Sequence, residues 1–435
     1  MGKGQKLYSK AKQIVAGGNM LLSKRPEMFL PNLWPSYFSK SKGCKVWDLD
    51  NNPYFDLSIM GIGTNVLGYG HHEVDRAVIQ TIKNGNMSSL NCPEEVELSE
   101  KLLKINDWAQ MVRFTRTGGE ANAVAIRIAR AATGKDNIAV CGYHGWHDWY
   151  LSINLDKKDS LSKHLLPGLE PLGVPKVLKD TTFTFQYNNI DQVKKLIKEK
   201  NIGIIKMEVQ RNLKPKNDFL KEIRNLCNKN NIVLIFDECT TGFRTEYGGI
   251  YKKYDVIPDI VLFGKALGNG YAINAIVGKK EIMEECQRTF ISSTFWTERI
   301  GPTAALKTIE IMKKIESWKL IKRISKKINK NIEKIANENQ LDITIDSTPA
   351  TINFKLNYID WIKYKTLITQ EMLKKGFLAS SSIFVCIEHS DDILEKYFFE
   401  LNKIFKMISD CLNDKKLIDK KLEGPVSHSS FQRLN

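Results

Sequence analysis

The chain has 435 residues, of which 42% are hydrophobic and 26% are charged, a composition ordinary for a folded globular protein. A chain of this length can form two or three packed units with a large core. The formal net charge is +16, but the positive charges are spread along the chain, without the aromatic–basic alternation of RNA-binding proteins. We therefore expect no nucleic-acid partner.

The sequence also argues against a membrane protein and a metal site. The longest apolar runs are shorter than the ~18 residues that a transmembrane helix needs, and residues 1–19 lack the compact apolar core of a signal peptide. These features predict a cytoplasmic protein. The eight cysteines form no CxxC pair, so we expect reduced thiols and neither a zinc site nor a redox motif.

The first predicted elements form an N-terminal segment of helix, turns and short strands over 1–66. Alternating apolar residues on both sides of the turn signal at 50–52 predict a β-hairpin in this segment. Apolar residues at helical spacing then predict helices at 72–82 and 93–105.

Strands and helices alternate through the middle of the chain. The strand-like runs are VRFTR, IAVCG, IGIIKME, IVLIFDE, DIVLFGK and INAIVG, and the predicted helices lie at 119–132, 190–199 and 217–229. This order predicts an α/β domain with a mainly parallel sheet flanked by helices. A long polar stretch at 151–180 interrupts the order, and such connections are commonly functional or disordered.

The last part of the chain predicts a smaller α+β domain. An amphipathic helix with a lysine-rich solvated face is predicted over 313–335, and TPATINFKL and FLASSSIFVCI read as strands. The tail GPVSHSSFQRLN is expected to cap the surface, the alternative being that it brings His428 or Arg433 to a functional site. We predict three parts: 1–66, which joins the small domain, a large domain over 67–305, and a C-terminal small domain over 306–435.

Two charged residues follow the most apolar strands. Asp237 ends the run IVLIFD, and Lys265 comes directly after DIVLFG. Because ligands bind beyond the carboxyl ends of strands in open parallel sheets, we expect both side chains in one crevice. A lysine that forms a Schiff base and an acid that pairs with a pyridinium nitrogen are what pyridoxal 5′-phosphate (PLP) requires. The alternative is an ordinary ion pair or two unrelated surface charges.

Two turns suit the same cofactor. Thr117-Gly118-Gly119 connects a strand to a helix, so its N–H groups would face an anion such as a phosphate. The run CGYHGWHDWY places Tyr143 and His144 on a loop after the next strand, where an aromatic ring could stack on a planar cofactor. The alternative is a loop of half-buried aromatic residues with hydrogen-bonded histidines.

Taken together, FTRTGGEANAVAIRIAR, GYHGWHD, LIFDECTTGFR and LFGKALGNGY resemble the class III (ω-) aminotransferase family of fold-type I PLP enzymes. The similarity is greatest to the glutamate-1-semialdehyde 2,1-aminomutase-like members, including aminotransferases of surface-polysaccharide pathways. It spans nearly the whole chain. The resemblance implies a large domain built on a mainly parallel seven-stranded sheet, a small α+β domain made from the N- and C-terminal parts, and a homodimer with shared active sites.

The resemblance also assigns roles at the cofactor. Lys265 would hold PLP as a Schiff base and then carry the proton between carbon atoms, and Asp237 would keep the pyridine nitrogen protonated. The other implied cofactor contacts are the phosphate-binding N–H groups of Gly118 and Gly119, the stacking ring of Tyr143, the packing of Cys239 on the opposite ring face, the reach of Thr294 to the neighbouring subunit's phosphate, and polar contacts from His144 and Glu208.

The substrate side departs from the family pattern. The proline that usually follows Glu208 is missing, and residues 296–299 replace a Gly-Asn-Pro segment, which places Glu298 and Arg299 near the site. A glutamate of the aminomutase C-terminal domain has no counterpart in SSSIFVCIEH. Arg25 matches a substrate-carboxylate arginine of the aminomutase, the alternative being one more basic residue of a basic chain.

The sequence therefore predicts a PLP-dependent aminotransferase. It would take an amino group from an amino acid, with glutamate as the expected donor, and pass it to an aldehyde or ketone, such as an intermediate of sugar metabolism. An aminomutase, which moves the amino group within one molecule, is the first alternative, and a PLP decarboxylase or epimerase is a less favoured one. A non-enzymatic binding protein is disfavoured because Lys265 and Asp237 are both present.

Overall fold

The computed structural model describes residues 2–156, 160–162, 164, 167–210, 213–216, 218–348, 350–414 and 416–430. The chain divides into two compact units. Unit 1 contains Met1–His71 and Lys319–Asn435, and unit 2 contains His72–Trp318. The division into 1–66, 67–305 and 306–435 stays a prediction.

The described residues form the following strands and helices. The strands are β1 (Phe38–Lys42), β2 (Lys45–Asp48), β3 (Pro53–Leu57), β4 (Met111–Thr115), β5 (Ile138–Cys141), β6 (Thr182–Thr184), β7 (Ile204–Glu208), β8 (Val233–Glu238), β9 (Ile260–Phe263), β10 (Asn274–Gly278), β11 (Ile343–Thr348), β12 (Thr351–Leu356), β13 (Phe377–Ala379) and β14 (Ser382–Phe384). The helices are α1 (Lys3–Ile14), α2 (Met60–Gly63), α3 (His72–Lys83), α4 (Pro93–Ile105), α5 (Gly118–Thr133), α6 (Asp148–Leu151), α7 (Ile190–Lys200), α8 (Phe219–Asn230), α9 (Lys280–Met283), α10 (Ile300–Ile315), α11 (Ser317–Glu338), α12 (Trp361–Lys374), α13 (Asp391–Asn413) and α14 (Leu417–Lys421). None of these described helices has both the length and the apolar content that crossing a membrane requires.

Unit 2 is organised around a seven-stranded sheet in the order β4-β10-β9-β8-β7-β5-β6. Strands β9, β8, β7, β5 and β6 pair in parallel, whereas β10 is antiparallel to both β9 and β4. Every residue of β7, β8, β9 and β10 is buried, as expected for strands covered on both faces. The predicted mainly parallel sheet is confirmed, and the carboxyl ends of β4, β7, β8 and β9 lie at one edge.

Helix α5 begins at that edge, directly after β4. Thr117 Oγ1 accepts a hydrogen bond from the N–H of Glu120 at 3.3 Å, and the N–H of Thr117 donates to Glu120 Oε2 at 2.9 Å. This capping box satisfies two N–H groups that a helix start otherwise leaves without partners. The apolar face of α5 packs on the sheet through Ala121, Ala125 and Ile128. The cap and this packing fix the N-terminus of α5 beside the strand ends.

The structure differs from the sequence prediction at two places. The one helix predicted over 313–335 is wrong: α10 ends at Ile315, and Glu316 takes a left-handed conformation with φ 48° before α11. Glutamate carries no signal for such a break, because left-handed helix ends favour glycine. Edge strand β6 was not predicted, since three paired residues are too few to show a strand pattern. In the stretch 151–180, residues 157–159, 163, 165 and 166 lie outside the described residues.

Unit 1 contains two small sheets, with the orders β1-β2-β3-β13 and β11-β12-β14. The hairpin predicted around residues 50–52 is confirmed, because β2 and β3 pair antiparallel on either side of this turn. Strand β13 pairs in parallel with β3 and so joins the C-terminal part of the chain to the N-terminal part. This is the small α+β domain that the sequence predicts.

The described part of the C-terminal tail packs within unit 1. The N–H of Ser427 donates to Thr366 Oγ1 at 3.0 Å, and the N–H of His428 donates to the carbonyl of Glu27 at 2.7 Å. These backbone bonds agree with a capping role for residues up to His428. Arg433 lies outside the described residues.

Candidate active site

The parallel register of unit 2 brings three of the predicted site residues to one edge of the sheet. Glu208 ends β7 and pairs in register with Asp237 of β8, and Lys265 comes two residues after the end of the neighbouring strand β9. Mostly apolar residues form these three strands. Each strand ends in a polar residue or is followed within two residues by one. The edge therefore presents two carboxylates and one amine from three adjacent strands.

Asp237 is the most tightly held of these groups, with 4% of its surface exposed. The His144 Nδ1–H donates to Asp237 Oδ2 at 2.9 Å, the Cys239 N–H donates to Oδ1 at 3.1 Å, and Lys206 Nζ lies 3.7 Å from Oδ2. Burial by itself would raise the pKa of Asp237, but the Lys206 charge and the His144 hydrogen bond hold that pKa well below its ordinary value. Asp237 is therefore an ionised carboxylate with a fixed orientation.

His144 contacts Asp237 and is 1% exposed. Its Nε2 lies 3.2 Å from the carbonyl oxygen of Cys141, and its ring packs edge-on against Tyr150, with the ring centroids 5.8 Å apart. We assign the ring proton to Nδ1 because the Asp237 carboxylate is the stronger acceptor. Burial lowers the pKa of His144 although Asp237 opposes this shift. His144 thus orients the Asp237 carboxylate through its Nδ1.

Lys265 has an unusual backbone and a fixed side chain. Its φ of 44° lies in the left-handed region, which is strained for a residue other than glycine. Its Nζ donates to Thr240 Oγ1 at 2.8 Å. The preceding Gly264 packs so closely that a Cβ there would lie 2.0 Å from Asn274 Oδ1 and 3.4 Å from Cys239 Sγ. The backbone of Lys265 is therefore held against the segment that follows Asp237.

The glycine turn before α5 lies beside the same segment. A Cβ on Gly118 would be 3.9 Å from Cys239 Sγ, which is an ordinary contact. A Cβ on Gly119 would be 2.7 Å from the His147 ring, so no side chain fits there without displacement. The first N–H groups of a helix have no partner inside the helix, and their partial positive charge suits an anion. The turn thus presents an open backbone next to Cys239 that would suit an anion.

Glu208 supports the loop that carries Tyr143 and His144. The Tyr143 N–H donates to Glu208 Oε2 at 3.0 Å, and Tyr150 donates through its hydroxyl to the carbonyl of Gly142 at 2.7 Å. Gly142 has φ 113°, and a Cβ there would be 2.5 Å from Glu208 Oε2. The half-buried Tyr143 ring packs edge-on against Tyr150, with the centroids 6.3 Å apart. Glu208 therefore contributes a backbone anchor.

The predicted substrate-side residues Glu298 and Arg299 are held in ion pairs. Glu298 Oε1 lies 2.7 Å from Arg116 Nε, and its carboxylate also accepts hydrogen bonds from two N–H groups at the start of α10. Arg299 Nη2 donates to Glu94 Oε1 at 2.6 Å and its Nε donates to Oε2 at 3.1 Å. These contacts fix the segment 294–299 that precedes α10.

Thr294 and Arg25 are far from Asp237 in the sequence. Thr294 is exposed and begins a short 3-10 helix, Thr294–Thr297, whose last residue donates through its hydroxyl to the Thr294 carbonyl at 2.9 Å. Arg25 belongs to unit 1, where it connects two short 3-10 helices and its guanidinium lies beside Gly17. Within unit 2, the structure brings Gly118, Cys239, Asp237, Glu208, His144 and Lys265 together.

Sequence reasoning missed two contacts of this cluster, Lys206 and Thr240. Thr240 is the hydroxyl partner of Lys265, and a polar residue soon after a strand end carries little signal. Lys206 does carry one, because it is a lysine between Ile205 and Met207 in the otherwise apolar run IGIIKM of a predicted buried strand. Buried lysines are rare unless they are paired, so the pattern called for an anionic partner.

A protein-family model described as aminotransferase class-III matches residues 32–358. The 3-aminobutyryl-CoA aminotransferase of Cloacimonas acidaminovorans is 34% identical over 91% of this chain and 94% of that protein. The glutamate-1-semialdehyde 2,1-aminomutase of Sulfurisphaera tokodaii is 30% identical over 93% of this chain and 100% of that protein.

Solved structures of PLP transaminases have the same fold. The FumI protein of Sphingopyxis sp. MTA144, solved with PLP, superposes with a TM-score of 0.84 at 20% identity, covering 95% of this chain and 98% of that one. An ω-transaminase from Sphaerobacter thermophilus gives a TM-score of 0.81 at 21% identity, covering 93% and 97%. At these identities the likeness shows the fold, which is that of the fold-type I PLP transaminases.

Proposed function

The chain belongs to the class III aminotransferase family of PLP-dependent enzymes, and we propose that it moves an amino group from an amino acid to an aldehyde or ketone. Glutamate is the proposed donor. The observation that carries the proposal is the ionised Asp237, fixed by three contacts, on the strand next to the one that leads into Lys265. Enzymes of this chemistry need an anion for the pyridine nitrogen and an amine for the aldehyde.

The side chains of the site fit PLP. The cofactor supplies an electron sink for the charge that remains on a substrate carbon after a proton leaves. Lys265 would hold it covalently, Asp237 would bind the pyridine nitrogen, and Gly118 and Gly119 would bind the phosphate. The fit at the phosphate is supported by Gly119, where a Cβ would contact the His147 ring at 2.7 Å and only an open backbone is accommodated.

Asp237 and its neighbours prepare the site before any substrate arrives. His144 and the Cys239 N–H hold the two carboxylate oxygens in place, so no reorganisation is needed when the charge develops. Burial raises the pKa of the Cys239 thiol well above its ordinary value, so this side chain stays neutral. We propose that Cys239 packs on one face of the ring and Tyr143 stacks on the other.

Lys265 is the proposed acid–base of the reaction. Its Nζ is held by Thr240 Oγ1 at 2.8 Å, which keeps the amine within the site once it is released from the cofactor. A positioned amine can take a proton from one carbon and return it to another, a contribution of about 10²–10⁴-fold in rate. The Thr240 hydroxyl would therefore hold the Lys265 amine in place between proton transfers.

The proposal also covers the substrate side and the assembly. We propose a cytoplasmic homodimer in which the exposed Thr294 reaches the cofactor phosphate of the neighbouring subunit. Arg25 is the proposed ligand of a substrate carboxylate. Glu298 and Arg299 would shape the substrate side by holding the Thr294 loop through their ion pairs with Arg116 and Glu94.

The acceptor is proposed to be a carbonyl compound of sugar or surface-polysaccharide metabolism. The relative named 3-aminobutyryl-CoA aminotransferase adds a 3-oxoacyl thioester to the acceptors that deserve a test. A second candidate function is the intramolecular aminomutase reaction, which is supported by 30% identity to the relatives of that name.

The products formed from glutamate distinguish the aminotransferase reaction from the aminomutase reaction. The PLP-loaded protein is mixed with L-glutamate alone, the absorbance band of lysine-bound PLP is followed, and 2-oxoglutarate is quantified. The proposal predicts loss of the band and about one 2-oxoglutarate per site, because each cofactor accepts one amino group before an acceptor arrives. An unchanged band, together with conversion of glutamate 1-semialdehyde without any donor, would reject it in favour of the aminomutase.

A further inference from the structure

Lys206 is a lysine in the interior of the sheet of unit 2. It occupies the middle of β7, in register with Val140 of β5 and Ile235 of β8, and none of its surface is exposed. Its Nζ is 3.7 Å from Asp237 Oδ2 and has no hydrogen-bond acceptor among the described residues. The lysine therefore meets its counter-ion through charge alone.

An ammonium group in this place is costly to bury. Removing a cation from water is strongly unfavourable, and an apolar side chain of similar volume is often at least as stable as a buried ion pair. Burial lowers the pKa of Lys206, and the largest opposing effect is the charge of Asp237. Core packing thus gives no reason for a lysine here, and the side chain is aimed at the carboxylate that we assign to the cofactor.

We propose that Lys206 is a positioning residue that acts through Asp237: its ammonium shares the carboxylate with the pyridine nitrogen of PLP and so weakens the hold of Asp237 on the protonated nitrogen. The inference rests on the proposed role of Asp237. It assigns a function to a residue that touches neither the substrate nor the cofactor.

The charge balance gives the direction of the effect. Lys206 and Asp237 already neutralise each other, so a protonated pyridine adds a second cation to one anion. In a buried site two like charges near the same carboxylate repel strongly. The other titratable groups that act on Lys206 or Asp237 are His144, the protonated Cys239, Glu208 and Glu238. Among them Glu208 acts in the same direction as Asp237 on Lys206, because its charge favours the ammonium.

The test replaces Lys206 by an uncharged side chain of similar length, K206M. Two quantities are measured: the PLP dissociation constant of the apoprotein, and the ¹⁵N signal of the pyridine nitrogen in protein loaded with ¹⁵N-labelled PLP across a pH series. We expect at least about tenfold tighter PLP binding and a nitrogen that stays protonated to a pH about one unit higher, the usual size of a close-charge effect. Unchanged or weaker PLP binding with an unchanged ¹⁵N titration would overturn the proposal.

Two further variants keep the test decisive. Should K206M not fold, K206Q removes the same charge with a polar side chain, and the same two results are expected. K365M is the matched control, because burial also lowers the pKa of that lysine, to about 8, while its Nζ donates to the Met28 carbonyl and not to a carboxylate. K365M should leave both quantities unchanged; a shift equal to that of K206M would overturn the assignment to Asp237.

The variant D237N separates this inference from the proposed function. If Asp237 holds the pyridine nitrogen, D237N lowers its protonation, and adding K206M to D237N changes neither quantity further. If D237N leaves the ¹⁵N signal of the wild type unchanged, the proposed role of Asp237 fails and the inference fails with it. If D237N lowers the protonation but K206M has no effect, only the inference is overturned.

Discussion

Asp237 shows how the site depends on single atoms. Each of its oxygens has its own donor, and its charge is held by a lysine that no water reaches. Removing either the charge or a donor should change the electrostatics at the proposed pyridine position while leaving the local shape nearly the same. Isosteric substitutions here therefore separate the effect of charge from the effect of shape.

The substitution Asp237→Asn tests the charge alone. We expect the variant to retain PLP, because Lys265 and the glycine turn remain. Proton abstraction should slow by about 10²-fold or more, since a neutral amide no longer keeps the pyridine nitrogen protonated. Turnover and the absorbance of bound PLP measure the two effects separately. An undiminished rate would remove Asp237 from this role.

Glu238, next to Asp237, gives a prediction about stability and pH. It is completely buried; burial raises its pKa to about 7, although Thr241 and the Tyr251 N–H favour the charged form. The folded pKa thus lies above the unfolded one, near 4.5. The stability that comes from keeping Glu238 protonated in the folded protein is fully present below the unfolded pKa. It is lost as the pH rises through about 7.

Glu238→Gln removes this titration. Between about pH 5 and about pH 8, the stability of the variant relative to the wild type should improve by up to about 3 kcal/mol. Urea unfolding of both proteins at the two pH values measures the difference. Glu97→Gln, at an exposed position of α4, is the control for a generic charge effect. A gap between wild type and E238Q that does not change with pH would contradict the prediction.

Among the elements of unit 2, the loop after β5 connects the sheet to the proposed cofactor contacts. It carries Tyr143 and His144, and Gly142 lets it turn against the Glu208 carboxylate. Gly142 and Gly134 form a matched pair: both have positive φ, but a Cβ on Gly134 would meet nothing within 4 Å, whereas one on Gly142 would lie 2.5 Å from Glu208 Oε2.

Alanine substitutions separate backbone strain from displacement of Glu208. Gly134→Ala should cost about 1 kcal/mol, the ordinary penalty for a left-handed residue with a Cβ. Gly142→Ala should cost about 2–4 kcal/mol, because overpacking adds to the strain, and should also lower PLP content. Denaturant unfolding and PLP absorbance test both expectations. Equal losses in the two variants, with full PLP in each, would show that Glu208 does not support the loop.

Most of the buried strands of unit 2 and the helix after β4 were predictable because their signals are local. Long β-branched runs identify the buried strands, and the Thr117-Gly118-Gly119 turn identifies the start of α5. The break at Glu316 was not predictable, since its left-handed conformation comes without glycine or asparagine. The pairs of Lys206 with Asp237 and of Glu298 with Arg116 escaped prediction because each joins residues far apart in the chain. The sequence indicated that Lys206 needs a partner, but only the parallel register supplied it.

At the scale of the whole molecule, the proposed homodimer predicts that each active site uses residues of two chains. Lys265→Ala leaves a site without its covalent lysine. Thr294→Ala weakens the site of the neighbouring subunit if Thr294 binds that phosphate. A mixed dimer of the two variants would contain one intact site, because its complete lysine and its complete threonine belong to the same pocket.

Unfolding and refolding the two variants together tests this arrangement. Random pairing should recover about a quarter of the wild-type activity, since half of the dimers are mixed and each has one of two sites intact. Each variant refolded alone is the control. Activity of the mixture that does not exceed the average of the two controls would contradict a shared site.

The most direct test of the central claim is to identify the lysine that binds the cofactor. PLP-loaded protein is reduced with borohydride, digested, and searched by mass spectrometry for the phosphopyridoxyl label. We predict the label on Lys265, in the peptide that follows β9, and no label in K265A, whose folding is checked by circular dichroism. Lys206, buried in the same sheet and close to Asp237, is the internal comparison and should stay unlabelled. A label on Lys206 or on any other lysine, or equal labelling of K265A, would contradict the account.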